Sequence, residues 1–338
     1  MPGHASRTEH STVRRAVVIG AGGFIGKELS EVLRRTGIDT ACFTRKAGFI
    51  SPIGLAYCLR TADVVFYLAS SINPLLGERH PERARADHRL FAELLRRLAQ
   101  MPDPPAVMLS SSGGTVYDPD VRPPLSEVSS TRATSSYGAA KLALEEELAA
   151  YSGTIPGIIL RLSNVYGPGQ RATAGQGVLA HWLRAVHEGT PLRIIGDPAS
   201  TRDYVYIDDV VDCMHRLLYA DRSELLAAWG NPLVLNVGSG RSTSLAELAD
   251  VVRTVVDRPL AFEHVPSRGL DRAHVRLDVR RAREAIGWQA RTSLTDGVRA
   301  AWRAGVPLPS RPLGGHDGTG PSAARSATVA SARAVGFS

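Results

Sequence analysis

Cysteine is scarce in this 338-residue chain and forms no pattern. The three cysteines, Cys42, Cys58 and Cys213, are scattered and odd in number, and no pair has metal-ligand spacing. That argues against a disulfide framework or a zinc site, and it fits a reducing cytoplasm. No apolar run approaches the roughly 18 residues needed to cross a bilayer. The opening MPGHASRTEHSTVRR lacks the apolar segment of a signal peptide. No internal repeat is visible. Basic residues outnumber acidic ones, 40 to 33, for a net charge of +7. The arginines are spread along helices and are not interleaved with aromatics, so nucleic acid is a weaker partner than a phosphorylated small molecule. With 43% hydrophobic and 22% charged residues, the composition is that of an ordinary globular protein with a sizeable core.

What is present is an alternation of short apolar runs and helical periods. Buried strands are expected at residues 15–19 (RAVVI), 40–43, 63–68 (DVVFYL), 106–109, 158–162 (IILRL), 192–195, the YVYI run and LVLNV. Helices are expected at residues 27–35, 81–98, 137–151, 178–187, 245–256 and 280–286, with a further one running through Tyr219. In the long 81–98 helix, Leu90, Leu94, Leu95 and Leu98 should share one side. GPGQRATAGQG after the 158–162 strand reads as a flexible loop. Alternating strand and helix predicts an α/β fold: a Rossmann-type, doubly wound parallel sheet with a smaller C-terminal α/β substrate lobe.

The first strand leads directly into GAGGFIG, with Gly20, Gly23 and Gly26 at the start of a helix. Glycines allow the tight turn and close backbone approach that seat a pyrophosphate on a helix N-terminus. Phe24 and Ile25 open that helix, and Leu68, Ala69 and Ser70 close the third strand beside it. The second strand ends in Thr44, Arg45 and Lys46, with no carboxylate to meet ribose hydroxyls. A guanidinium fork suits a 2′-phosphate, which favours NADP(H) over NAD, unless both cations simply face solvent. The implied organisation is a disordered segment at 1–13 and a dinucleotide-binding domain at 14–170, with part of 200–230 returning to it. The substrate lobe would take 171–199 and 231–307, and a Gly/Ser/Ala/Pro-rich disordered tail would follow at 308–338.

Tyr137 and Lys141 lie four apart at the start of a helix, hence on one face. A tyrosine near pKa 10 is a poor base at neutral pH, and an adjacent ammonium lowers that value. The apolar run VMLSSSGGTVY brings serine and threonine hydroxyls to the mouth of the sheet nearby.

Taken in order, GAGGFIG, DVVFYLAS, SSSGGTVY, YGAAK, RLSNVYGPGQ, GDPASTRDYVYIDD, LNVGSG and RGLDRAHVRLDVRRAREAIGW resemble the extended short-chain dehydrogenase/reductase superfamily. Within it they are most similar to the nucleotide-sugar epimerase/dehydratase family typified by UDP-galactose 4-epimerase. The resemblance implies that Tyr137 is the acid/base and Lys141 its electrostatic partner and ribose ligand. It implies that Asn164, Arg202 and Arg268 meet the diphosphate of a nucleotide-diphosphate sugar, with Asp271 orienting Arg268. It also implies a homodimer through two helices of the first lobe. Asp208 and Asp209 are expected to be structural, as a helix N-cap and its neighbour. Asn236 to Gly240 either line the nucleotide pocket or simply turn. Two departures stand out. The position four before Tyr117, where the family has Ser or Thr, is Gly113, so the hydroxyl must come from Ser112, with Thr115 second, or be dispensed with. The Asn common early in the helix after the third strand corresponds to His88. The expected activity is an NADPH-dependent 4-ketoreductase of an NDP-4-keto-(deoxy)hexose. Its alternatives are an NDP-sugar 4-epimerase with tightly bound NAD and a catalytically impaired cofactor-sensing member. No metal is expected.

Overall fold

Apolar runs without polar alternation form strands buried on both faces, and here they assemble into one six-stranded sheet. In the computed structural model, which describes residues 13–45, 48–51, 54–267 and 272–305, these strands are β1 (Arg15–Ile19), β2 (Asp39–Phe43), β3 (Val64–Tyr67), β4 (Ala106–Ser112), β5 (Gly157–Leu162) and β6 (Leu233–Val237). Their order is β2-β1-β3-β4-β5-β6 and every pairing is parallel. Alternate residues of β4 feed two separate cores: Ala106 and Met108 on one face, Val107 and Leu109 on the other. Helices on both faces are therefore required, as the sequence predicts.

Helix α1 (Phe24–Arg35) follows β1, and the chain then passes to β2 on one side before returning to β3 on the other. That reversal opens a crevice beyond the C-terminal ends of β1 and β3. Three further helices frame it: α2 (Pro74–Arg79), α3 (Pro81–Leu98) and α4 (Ser136–Ala150). Smaller pairings complete the described chain. Asn164–Tyr166 runs parallel to Tyr204–Tyr206, Leu192–Ile195 parallel to Phe262–Val265, and Thr201–Arg202 antiparallel to Thr243–Ser244.

Several sequence expectations need correction. Leu90 is 41% exposed, and Phe91, Leu94, Leu95 and Leu98 form the buried stripe, because i, i+3, i+4, i+7 spacing starts at 91. β4 runs three residues further than expected, through all three serines, whose backbones stay paired to β5. Helices α2, Arg222–Trp229 and Leu294–Arg303 were not anticipated; each is started by a capping side chain, Asn73, Asp221 and Ser293 respectively. The loop after Gly169 is tethered: Asn73 Nδ2 donates to Ala174 O at 3.1 Å, and a His181 ring nitrogen lies 2.8 Å from Thr173 O. Asp208 and Asp209 are not N-caps, since Tyr206 holds that position without a side-chain bond. Asp209 instead accepts from the Arg291 and Thr292 backbone N–H groups at 3.2 and 3.0 Å. The NVGSG segment is a turn wound on buried Asp203, which accepts from Ser239 N, Ser239 Oγ, Gly240 N and Leu277 N.

Candidate active site

At the β1–α1 turn the glycines are needed for space. Gly20 has φ +99°, and a Cβ there would lie 2.7 Å from Ala69 N; a Cβ on Gly26 would lie 2.3 Å from Gly20 O. Gly23 is the N-cap of α1 without a capping side chain, and the first turn, which begins with Phe24 and Ile25, has no acidic residue. Its backbone donors and positive dipole end thus remain available to an anion. Leu68 continues β3, donating to Ile19 O at 2.8 Å, while Ser70 Oγ donates to Ile72 O at 2.9 Å. Thr44 and Arg45 follow β2 and are exposed; the Thr44 methyl lies 3.3 Å from where a Gly22 Cβ would be. Lys46 lies outside the described residues. This cradle, with no room for a Cβ at Gly20 or Gly26 and no acidic residue in the first turn of α1, fits the pyrophosphate of a dinucleotide.

Tyr137 and Lys141 sit where α4 abuts the end of β4. Ser135 caps α4 by accepting from Gly138 N at 3.1 Å, and Glu78 of α2 accepts from Ser136 N and Oγ at 2.7 and 2.9 Å. Gly77 lets α2 pack directly on Tyr137, since a Cβ there would be 3.1 Å from Tyr137 N. Lys141 is 5% exposed; its Nζ donates to Ser110 O at 3.0 Å and lies 5.8 Å from the Tyr137 ring centroid. Burial pushes the Tyr137 hydroxyl up to about 12. Desolvation thus outweighs the lowering expected from the neighbouring ammonium. Burial likewise brings Lys141 down to about 8, opposed by the carboxylates of Asp87 and Glu145.

The hydroxyls sort by strand geometry. Ser110 and Ser111 point to opposite faces: Ser110 Oγ donates to Tyr67 O at 3.3 Å, and Ser111 Oγ donates to Glu145. Ser112 is the half-buried last residue of β4. Thr115 Oγ1 is buried without a hydrogen-bond partner among the described residues. A side chain at Gly113 would force Leu277 to shift, since a Cβ there would be 2.6 Å from Leu277 Cδ1 and 3.1 Å from Arg161 O.

Of the diphosphate candidates, Asn164 is exposed at the start of its short strand, its N–H donating to Asp203 O at 2.9 Å. Arg202 Nη1 donates to Thr201 O and Ala273 O at 2.9 and 3.2 Å. Arg268 and Asp271 lie outside the described residues. His88 does not face the crevice but pairs with Glu147 at 3.2 Å; its neighbour Asp87 does, accepting from Ser71 N at 2.7 Å. Sequence reasoning missed Asp87, Glu78 and a buried ion pair, Arg161–Glu145 at 2.7 Å. The guanidinium stacks 4.9 Å from the Tyr117 ring, and Tyr117 OH donates to Asn236 Oδ1 at 2.6 Å. An arginine inside the apolar run IILRL is the signal that marks such a pair. Among the described residues no group of three or more potential ligands is placed to hold a metal, and no helix is long and apolar enough to cross a membrane.

Comparison with known proteins bears on this geometry. The family model described as NAD dependent epimerase/dehydratase family matches residues 16–238. The UDP-glucose 4-epimerase of Mycolicibacterium smegmatis is 30% identical over 309 residues, 84% of this chain and 96% of that protein. The dTDP-6-deoxy-L-talose 4-dehydrogenase (NAD(P)(+)) of Kitasatospora kifunensis is 28% identical, covering 87% of this chain and 96% of its own length. Among solved structures, MoeE5 in complex with UDP-glucose and NAD superposes with a TM-score of 0.75 at 27% identity, over 86% of this chain and 98% of that one.

Proposed function

Because the chain belongs to the NAD dependent epimerase/dehydratase family and is an enzyme of the extended short-chain dehydrogenase/reductase type, we propose that it is an NADPH-dependent reductase of the 4-keto group of a nucleotide-diphosphate (deoxy)hexose. The observation that carries this reading is the end of β2, where exposed Thr44 and Arg45 stand with no carboxylate beside them, a donor set that suits the 2′-phosphate of NADPH. Tyr137, beside the end of β4, is the group placed to give the proton that ketone reduction needs.

The Gly20–Gly26 turn, Leu68, Ala69, Ser70 and Lys141 would hold a nicotinamide cofactor, which would supply hydride chemistry at the sugar C4. The chain's own residues do the rest. Tyr137 gives its proton to the oxygen that develops negative charge at C4. The unpartnered Thr115 hydroxyl and Ser112, at the end of β4, are the donors for that oxygen. Lys141 fixes the polarity beneath Tyr137 from its bond to Ser110 O. Asn164 and Arg202 are assigned to the substrate's diphosphate, along with Arg268.

A second reading, 4-epimerisation with retained NAD, draws on the similarity to the M. smegmatis epimerase over nearly its whole length. One set of assays separates the two. The purified protein is tested for bound cofactor, then for stoichiometric NADPH oxidation with a dTDP-4-keto-6-deoxy sugar. Net NADPH consumption, lost about 10²- to 10⁴-fold in Tyr137→Phe and shifted toward NADH in Arg45→Asp, supports the reductase. Interconversion of UDP- or dTDP-hexoses without net cofactor use overturns it in favour of the epimerase. Cofactor binding with no turnover of any nucleotide sugar indicates a sensor.

A further inference from the structure

One charged side chain in the crevice has no role so far. Asp87 lies on α3 at the C-terminal end of β3, and its Oδ2 accepts from Ser71 N at 2.7 Å. It lines a small cavity with Ser70, Ile72 and Lys141. Among the described residues no arginine, histidine or lysine lies within ion-pair distance of it, although α3 itself carries several arginines. Arg83, Arg85 and Arg89, nearest to it in sequence, are exposed, and Arg96 and Arg97 pair with Glu93 at the far end of the helix.

The groups around Lys141 explain why Asp87 matters. From β4, Ser110 O takes one of its three N–H donors. On its own helix, Tyr137 stands one turn before it and Glu145 one turn after. Glu145 is occupied: Arg161 of β5 engages both its oxygens at 2.7 to 3.2 Å, and Ser111 Oγ donates to it. Its charge is thus neutralised by a guanidinium. Asp87, across the cavity, is the second carboxylate that faces the ammonium; among the described residues it has no ion-pair partner, and the other titratable group facing it is the buried Tyr67 hydroxyl. A buried ammonium without a counter-charge sheds its proton.

We infer that Asp87 is the counter-charge of Lys141, a positioning residue that keeps the buried ammonium charged across the cavity at neutral pH. The inference rests on the proposed role of Lys141 beside Tyr137, but its test needs neither substrate nor cofactor. The chain has only three lysines, Lys27, Lys46 and Lys141. Protein made with [13Cε]lysine therefore gives three signals, and Lys141→Arg identifies the one to follow. Its chemical shift against pH reports the protonation of Lys141 directly.

In the wild type that signal should titrate well below the two others. In Asp87→Asn its midpoint should fall by about one pH unit, a tenfold loss of proton affinity, since a unit counter-charge acting through a partly solvated cavity is worth about that much. Asp87→Ser, which keeps a hydroxyl for the Ser71 N–H, should shift it the same way, and Asp87→Glu should restore it to within about 0.3 unit. A merely structural Asp87 would not discriminate by charge. Neutral variants that leave the Lys141 midpoint in place, or raise it, overturn the inference. Failure of the proposed catalysis would instead show as undiminished turnover in Tyr137→Phe, whatever the titration gives.

Discussion

Replacing Glu145 by Gln should cost more stability than almost any other single change at this site. Glu145 and Arg161 are each only 7% exposed at the side chain and meet through Nη2–Oε2 at 2.7 Å, with Arg161 Nε between both carboxylate oxygens. The guanidinium lies against the Tyr117 ring, and its Nη1 has no hydrogen-bond partner among the described residues. Water cannot take over when the carboxylate is neutralised, so the arginine is left buried and uncompensated. Such one-sided removals cost about 3 to 5 kcal/mol, a large share of the 5 to 15 kcal/mol typical of a whole domain. With an unfolding entropy of about 0.6 kcal/mol/K for an ordered chain of this size, Tm should fall by about 5 to 8 °C. Calorimetry and urea unfolding of Glu145→Gln measure this. The double variant Glu145→Leu with Arg161→Met should recover at least half of the loss, because it removes both desolvated charges. A fall in Tm below about 1.5 °C, or a double variant no better than the single, would refute the claim that these charges compensate each other in a dry site.

Two further outcomes follow from the packing at Gly113 and the burial of Lys141. Gly113→Ser restores the hydroxyl position common in the family, yet it should destabilise by about 1 to 3 kcal/mol and not raise turnover, because its Cβ would be 2.6 Å from Leu277 Cδ1; equal stability with faster turnover would show that the strand end is read in the wrong register. Lys141→Met should stabilise the protein at pH 7 while abolishing activity. Lys141 is lowered to about 8 in the fold against about 10.4 unfolded, so the unfolded chain holds this proton more tightly and the fold is penalised by about 3 kcal/mol wherever both states are protonated. Wild-type stability should therefore climb between about pH 8 and 10.4, and the Met variant should lack that component; parallel urea titrations across this range would show no difference if the ammonium were not buried at a cost.

Most of the sheet was legible because parallel strands buried on both faces are unbroken apolar runs. RAVVI, IILRL and LVLNV needed no periodicity to be read. The Gly20–Gly26 turn and the Tyr137–Lys141 pair were legible because their chemistry depends on local spacing. What was not legible is what depends on distant parts of the chain. α2 is six residues containing a Pro and a Gly, and it exists because Asn73 caps it and Gly77 packs on Tyr137. Asp87 on α3 was not legible as a site residue, since which side of a helix packs against the site is set by the fold: Asp87 lines the cavity beside Lys141, and His88 pairs with Glu147. The expected depression of the Tyr137 pKa failed for a similar reason: spacing places Lys141 on the same face, but only the fold shows that Lys141 is buried and that its ammonium bonds to Ser110 O.

Where buried polar atoms lack partners is itself informative about where chemistry takes place. Such atoms cost free energy and are few in folded proteins. Among the described residues they are Ser71 Oγ, Thr115 Oγ1, Arg161 Nη1, Ser163 Oγ and Tyr204 OH. Ser71 follows β3, Thr115 follows β4, Arg161 is near the end of β5 and Ser163 is the residue just after it. Four of the five thus lie at or just beyond the C-terminal ends of three adjacent strands, beside the phenol and the ammonium whose proton affinities burial shifts most usefully. A core that had only to be stable would have apolar groups at those positions. The unmet hydroxyls of Ser71, Thr115 and Ser163 make sense if a polyhydroxylated ligand completes them. The same edge carries the tight glycine cradle on one side and Asn164 and Arg202 on the other. On the proposed function, those unmet hydroxyls lie where the nucleotide-linked sugar and the dinucleotide would meet.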